Sequence, residues 1–309
     1  MGLKPSPYGT QLPFEEKDYK VVGTNPSTRP DATDKVTGKA RYAADINLPG
    51  QLIGKVLRSP HAHARILSID TSKAEALSGV KAVVTRDDFT DMPELHAAAG
   101  EIMINFRDVT RTMMAREKVL FDGHPLAAVA ATSESIAKKA LKLIKVDYQI
   151  LPHVIDVVEA MKPDAPILHD DQFTKGVEPK PDKPSNIAMR LKSEIGKVEA
   201  GFDQADVVIE REFNTKAVHQ GYIEPHASIA NYTSGGNAEV WTSTQGHFVI
   251  RAQLAKVLEM DVSKIKVTPA ELGGGFGGKN TIYLEPLAVI LSKKSGRPVK
   301  MRMTREEVF

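Results

Sequence analysis

The sequence predicts an α+β fold organised as two successive units, and three observations carry that prediction. Strand-length runs, alternating or wholly apolar, interleave with stretches of helical period. A segment dense in proline and charge, residues 152–185, separates two groups of such elements. A glycine-rich loop then interrupts the second group between a strand and a helix. No internal repeat is visible.

The elements follow in chain order. Residues 1–33 are polar and rich in Pro, Gly and Asp, and are expected to form an extended arm. The first unit spans residues 34–151. Within it, 51–58 (QLIGKVLR), 67–70 and 80–85 have strand character, and 72–77 forms a short helix with Ser72 as its cap. Residues 126–132 (LAAVAAT) are continuously small and apolar, the pattern of a buried strand. Ser133 caps a helix over 135–144 with Ile136, Ala140, Leu143 and Ile144 on one stripe, and 146–151 returns as a strand. Residues 152–185, with Pro163, Pro166, Pro179, Pro181 and Pro184, form a linker that wraps a surface. The second unit spans 186–309. Here 206–216 (DVVIEREFNTK) is expected as a strong strand and 238–244 (AEVWTST) as another. Residues 246–260 form an amphipathic helix burying Ile250, Leu254, Val257 and Leu258. A strand over 265–272, a helix over 284–295 stopped by Gly296, and a strand over 299–304 complete the pattern. A natural domain seldom finishes so soon after a strand begins. The chain is therefore expected to be a fragment or one piece of a split subunit.

Composition narrows the function classes. Of 309 residues, 41 are Lys or Arg and 39 are Asp or Glu, a net charge of +2 spread along the chain. That excludes a disordered tail and a nucleic-acid-coating polycation. There is no cysteine. Disulfide scaffolds, Cys-ligated zinc, iron–sulfur clusters and thiol nucleophiles are thereby excluded within this chain. No apolar run approaches the ~20 residues that span a bilayer, and residues 1–20 lack the apolar core of a secretory signal. A cytoplasmic location is expected, with a periplasmic one only if a partner carries the export signal. Gly2 and Ser6 fit the loose myristoylation pattern, and Asn231-Tyr232-Thr233 is a sequon; both patterns arise readily by chance.

The densest local signal is Gly273-Gly274-Gly275-Phe276-Gly277-Gly278-Lys279-Asn280. Such a run frees positive φ angles and lets backbone N–H groups converge on an anion. A tight structural turn is the plainer alternative. Gly273, Gly275 and Gly278 satisfy the dinucleotide fingerprint G-x-G-x-x-G, but the acid expected about 20 residues on would fall near Pro298. Gly273, Gly278 and Lys279 satisfy most of a P-loop, but Asn280 replaces its Ser/Thr. Both readings lack their second element.

Residues 272–279 (LGGGFGGK) resemble the molybdopterin-contacting loop of the xanthine dehydrogenase/aldehyde oxidase family of molybdenum hydroxylases. Four further segments agree with that family in order and spacing. Residues 34–45 (DKVTGKARYAAD) resemble the entry to its α/β hammerhead domain. Glu224-Pro225-His226 resembles the segment before the cofactor strands. Ser243-Thr244-Gln245-Gly246 resembles its STQ element, and Gly296-Arg297-Pro298-Val299 its GRPV turn. The resemblance runs from about Asp31 to Phe309. It implies a hammerhead domain over 34–151 and, over 186–309, the first part of a molybdopterin-binding α+β domain.

What the resemblance implies for chemistry is specific. Molybdenum is held by the dithiolene of a pterin, in bacterial relatives usually molybdopterin cytosine dinucleotide, so an absence of protein thiolates is no obstacle. Gln245 matches the glutamine that hydrogen-bonds the apical oxo ligand, a neutral amide donor rather than a direct metal ligand. Gly274, Gly275, Phe276, Gly277 and Gly278 match the cofactor-contacting loop. Phe276 stands where the family places a residue beside the substrate; an ordinary core aromatic is its other reading. Asn280 stands where purine-oxidising members carry glutamate, which makes a purine substrate less expected. The reaction implied is hydroxylation of an aldehyde, N-heterocycle or related substrate with water as oxygen source. No catalytic residue is expected in this chain: the general-base glutamate lies downstream of Phe309, and Glu224 is read as structural or as a support behind the residues that contact the cofactor. The implied partners are an iron–sulfur small subunit with two [2Fe–2S] clusters, an FAD-binding medium subunit and the remaining half of the molybdopterin-binding subunit, with a dimer of heterotrimers as one assembly they could form. Nucleic acid is not among them. His61 and His63 share a strand face without a third ligand, a pattern that is usually structural, and His219, His226 and His247 have the same status. A non-catalytic nucleotide-binding or assembly module using Gly273–Lys279 is the alternative from a different class.

Overall fold

Seven strands drawn from both halves of the sequence form one sheet, and that sheet organises the molecule. The computed structural model describes residues 29–99 and 102–309. The chain divides into two units at Ala40/Arg41. In the first, the described residues 29–40 contain one short helix, α1 (Ala32–Val36), with Asp31 paired to Lys35. Gly2 and Ser6, and the arm expected over 1–33 up to residue 28, lie outside the described residues.

The second unit runs from Arg41 to Phe309. Its strands and helices alternate as β1 (Leu52–Arg58), β2 (Ala64–Asp70), α2 (Ser72–Glu75), β3 (Val80–Thr85), β4 (His96–Ala99), β5 (Ile102–Asn105), α3 (Phe106–Met113), β6 (Lys118–Val119), β7 (Pro125–Ala131), α4 (Glu134–Leu143) and β8 (Lys145–Ile150). After these come α5 (Val157–Ala160), α6 (Val198–Asp203), β9 (Ala227–Tyr232), β10 (Ala238–Thr242), α7 (His247–Val257), β11 (Ile265–Pro269), α8 (Glu285–Ser295), β12 (Val299–Arg302) and α9 (Arg305–Val308). The main sheet has the order β11-β10-β9-β12-β1-β7-β3. A smaller sheet runs β6-β2-β8, and β4 and β5 form a hairpin.

β7 shows why the sheet sits where it does. Every residue of its PLAAVAA sequence is buried. Ala127, Val129 and Ala131 face one core with Ala137 and Ala140 of α4. Ala128 and Ala130 face the opposite core with Leu52, Val56, Leu287 and Leu291. Small side chains on both faces let helices pack closely on each side, and the alternation of period two sends successive residues to different cores. The junction between the halves is the parallel pairing of β1 with β12, Leu52↔Val299, Ile53↔Lys300 and Gly54↔Met301. Gly54 is required there: a Cβ on it would sit 2.6 Å from Met301 Cγ and 3.1 Å from Val299 Cγ1.

Most elements expected from the sequence form. Ser133 Oγ accepts the Ile136 N–H, and Gly296 closes α8 at φ +66°. Ile250, Leu254 and Val257 of α7 are buried. At α2 the carboxylate of Asp70, not Ser72, accepts the first amide, because Ser72 is already the first helical residue. The strand expected over 206–216 does not form: that stretch has no regular secondary structure, and Val207, Val208, Ile209 and Phe213 are exposed. Strand propensity measures fit to a pleated, half-buried surface, and no described strand pairs with this one to provide it. Conversely β9, unassigned from sequence, lies in the middle of the sheet between β10 and β12.

Residues 152–185 lie against the first half of the sequence. Asp170 pairs with Lys118 at 2.8 Å and Asp171 with Arg111 at 2.7 Å. Asn186 fastens the end of the segment, donating to the carbonyls of Ala160 and Pro166 and accepting the Leu168 N–H.

The junction predicts a large cost at one small residue. Gly54→Val is expected to lower unfolding stability by about 1–3 kcal/mol through overpacking against Met301. Gly201→Ala, a helix position with open space around it, is expected to be neutral or slightly stabilising. Urea unfolding of the two variants checks the contrast.

Candidate functional site

The glycine loop leaves the end of β11 and enters α8, and the residues around it explain its composition. A Cβ on Gly273 would lie 2.6 Å from Glu224 Cβ. One on Gly275 would lie 2.5 Å from Gln245 Oε1, and one on Gly278 2.8 Å from Tyr222 Cε1. Gly274 and Gly277 have φ of +96° and +90°, a region that side chains disfavour. Three of the glycines thus make room for the protein's own side chains. Gly277 alone of the five combines positive φ with open space, because nothing lies within 4 Å of its missing Cβ.

Beneath the loop Lys279 turns inward. Its side chain is fully buried, and Nζ donates to Glu224 Oε2 at 2.8 Å and to the Glu224 carbonyl at 2.9 Å. The ammonium also lies over the Tyr222 ring, 4.8 Å from its centroid. Burial lowers the lysine's pKa and the Glu224 carboxylate opposes that shift. The ammonium is therefore committed within the protein, unlike a P-loop lysine, which must reach out to phosphate.

On the outer side Gln245 closes the loop. It sits between β10 and α7, where the Lys279 carbonyl accepts both its N–H and the Thr244 hydroxyl, each at 3.1 Å. Gln245 Oε1 accepts the N–H groups of Gly277 at 2.9 Å and Lys279 at 3.3 Å. Two donors at one atom fix the amide's orientation. Its Nε2 is left with no partner among the described residues, available as a donor beside the loop. Phe276, at φ +49° and 73% exposed, is held outward rather than in a core. A non-glycine residue in that region is a strained feature of the kind found at functional sites. Asn280 is exposed beside it, and its carbonyl accepts from Gln253 Nε2.

Behind the loop is a cleft of about 840 Å³, with Arg58, Gly123, Tyr222, His226, Gly278 and Phe309 among its lining residues. The Tyr222 hydroxyl and His226 Nε2 share a 2.8 Å hydrogen bond. Burial, reinforced by the charge of Lys279, pushes His226 down to about 4 and leaves it neutral. Deeper still, Glu285 is buried, with Oε1 accepting from the Thr242 hydroxyl and Oε2 from the Tyr283 N–H. Burial raises its pKa. None of this could be read from composition; the nearest sequence signal was the four-residue spacing of Tyr222 and His226. Of the paired histidines, His63 Nδ1 contacts the Pro152 carbonyl and His61 packs edge-on to Tyr148. Among the described residues no cluster of three or more His, Asp or Glu could hold a metal ion.

Two outcomes follow from this geometry. Gln245→Ala removes an acceptor from an exposed neutral bond worth about 0.5–1.5 kcal/mol. Amide exchange at Gly277 and Lys279 is expected to quicken by roughly threefold to tenfold, whereas Gln245→Glu keeps the acceptor and the native exchange rates. His226 gives a pH dependence. Its folded pKa of about 4 lies below the unfolded 6.5, so its stabilising contribution is full above pH 6.5 and is lost as pH falls toward 4. The loss is on the order of 3 kcal/mol. Denaturant titrations across that range should show a flatter profile for His226→Gln.

Comparison with known proteins agrees with this architecture. Residues 37–152 match the model of the aldehyde oxidase and xanthine dehydrogenase a/b hammerhead domain, and residues 179–309 match that of the molybdopterin cofactor-binding domain. The chain is 36% identical over 287 residues to a probable xanthine dehydrogenase component of Bacillus subtilis, covering 93% of this chain and 36% of that protein. It is 33% identical over 291 residues to the nicotinate dehydrogenase large molybdopterin subunit of Eubacterium barkeri, covering 94% of this chain and 63% of that one. Quinoline 2-oxidoreductase from Pseudomonas putida 86 superimposes with a TM-score of 0.78 at 30% identity, over 91% of this chain and 34% of that one. The chain thus spans about a third of the length of most of these relatives. It belongs to the xanthine dehydrogenase/aldehyde oxidase family of molybdenum hydroxylases, with the family's hammerhead domain and molybdopterin cofactor-binding domain.

Proposed function

We propose that the chain is part of the molybdopterin-binding subunit of a molybdenum hydroxylase acting on an aldehyde, N-heterocycle or related substrate. The observation that carries this reading is Gln245. Both its acceptor positions are taken by loop N–H groups, so its amide N–H₂ is presented at the loop's outer side. A neutral donor held this way suits an oxo ligand of molybdenum. The pterin-bound metal supplies the two-electron redox chemistry when bound. Gly274, Gly275, Gly277 and Gly278 place backbone beside it, and Phe276 and Asn280 face the substrate. The general base is a glutamate of the subunit's remaining part.

The finer assignments are part of the same proposal. The cofactor is molybdopterin cytosine dinucleotide. Electrons pass to [2Fe–2S] clusters and FAD on partner subunits, an arrangement consistent with a chain that has no cysteine. The remaining half of the molybdopterin-binding subunit completes the site, and the complex is cytoplasmic. No described helix is long and apolar enough to cross a membrane. The alternative, a nucleotide-binding module built on residues 273–279, loses its phosphate lysine to Glu224.

Metal and pterin analysis of the complex purified from its native source tests the reading. Molybdenum and a cytidylylated pterin in stoichiometric amount are expected. Their absence, with ATP or NAD bound to the chain instead, would establish the alternative. The chain expressed alone with cofactor should turn over no aldehyde or N-heterocycle.

A further inference from the structure

We propose that Glu224 is the positioning residue of the glycine loop, setting its place through the reach of one carboxylate oxygen. That oxygen, Oε2, takes the Gly273 N–H at 2.7 Å, where the loop opens, and the Lys279 ammonium at 2.8 Å, where it closes. The backbone adds a return contact, the Glu224 N–H donating to the Gly273 carbonyl at 3.3 Å, and the Glu224 carbonyl accepts Lys279 Nζ. The two ends of a seven-residue span are thereby referred to one atom. The glutamate is itself anchored. Arg305 donates to the carbonyls of Tyr222 and Ile223, immediately before it, and the Tyr222 side chain lies against Gly274 through its Cβ and against Gly278 through its ring.

The arrangement suits position better than stability. A carboxylate buried for stability would use both oxygens, yet both side-chain contacts fall on Oε2, and Oε1 is buried with no hydrogen-bond partner. Buried ion pairs are weak stabilisers because desolvation offsets their attraction, and their best-attested value is fixing one arrangement among several. What is fixed here is the register of the loop beneath Gln245. Gln245 Oε1 holds Gly277 and Lys279 from the other side, so a shift of Lys279 displaces the amide donor as well. Glu224 acts on the cofactor site through the loop, without itself touching substrate or metal.

The test separates reach from charge in the assembled complex. Glu224→Asp keeps the charge and withdraws the oxygen by one methylene. Exchange of the amides of Gly273, Gly277 and Lys279 is expected to quicken by about tenfold or more, with the strands β9 to β12 unchanged. In the molybdenum-loaded complex the Mo(V) electron paramagnetic resonance signal should shift, and kcat should fall by about tenfold or more with KM little altered. Glu224→Gln keeps the reach and loses the charge; it leaves the buried Lys279 ammonium unneutralised, so global stability is expected to fall, but its loop exchange relative to that of the sheet and its Mo(V) signal are expected within about threefold and unshifted, respectively. Wild-type exchange and signal in Glu224→Asp would overturn the proposal. So would a uniform rise in exchange throughout the sheet, which marks a merely structural role. If Glu224→Asp fails to assemble, Glu224→Gln decides alone: a native loop supports reach, and a disordered one overturns it. The resonance and kinetic readouts rest on the molybdenum reading above, whereas the exchange readout does not. A complex without molybdenum would therefore remove the function and leave the loop proposal still decided by exchange.

Discussion

The pairing of β1 with β12 is the constraint on which the rest of the second unit depends. These strands are separated by some 240 residues of chain, yet they lie parallel and side by side in the middle of one sheet. Closing so long a loop costs entropy that the contact must offset, so the contact has to be extensive and well packed. It is: Leu52, Val299 and Met301 are buried in a single core that also takes residues from β7, α7 and α8. Without it, β1, β7 and β3 would present one open edge and β12 another. With it, the cleft behind the loop that follows β11 is lined by both halves of the sequence.

Rigidity of that sheet passes to the loop through short connections. β9 follows Glu224 by three residues, β10 precedes Gln245 by three, and β12 precedes Arg305 by three. All three residues hold the loop or its support, and each starts from a strand in the same sheet. A loop rich in glycine is entropically costly to order. Here the missing side chains are replaced by Glu224, Gln245 and Tyr222, which fill the space the glycines leave. The conformational freedom of the sequence is used to admit supports, and only at Gly277 does it leave open surface.

Periodicity made part of the regular core legible: β7 carries the pattern of a buried strand, and α4 and α7 each carry an apolar stripe, whereas α8, buried on most sides, was marked by its Gly296 stop. The strand expected over 206–216 failed for the reason that propensity is conditional on a partner surface. β9 went unassigned because a middle strand buried on both faces lacks the alternation that marks a half-exposed one. At the site, glycine density located the loop, but the direction of Lys279 was not legible. A lysine following glycines reads as a phosphate ligand until the acid that captures it is known, and Glu224 lies 55 positions away.

The family resemblance reached further than the local physics because its motifs meet in space. Glu224-Pro225-His226, Ser243 to Gly246 and residues 272–279 are spaced too widely for any local rule to connect. In the fold they are joined by hydrogen bonds: Glu224 to Gly273 and Lys279, Gln245 to Gly277 and Lys279, and Thr244 to Lys279. Each motif supplies what another lacks. The loop has N–H groups without side chains, the glutamate and glutamine have acceptors without local donors, and the lysine has a charge that only the glutamate neutralises. Changing one segment alone would leave a buried donor, acceptor or charge unsatisfied. Three of the five motifs that carry the resemblance are therefore interlocking parts of one support, and beside it the Gln245 amide keeps a donor without a partner among the described residues.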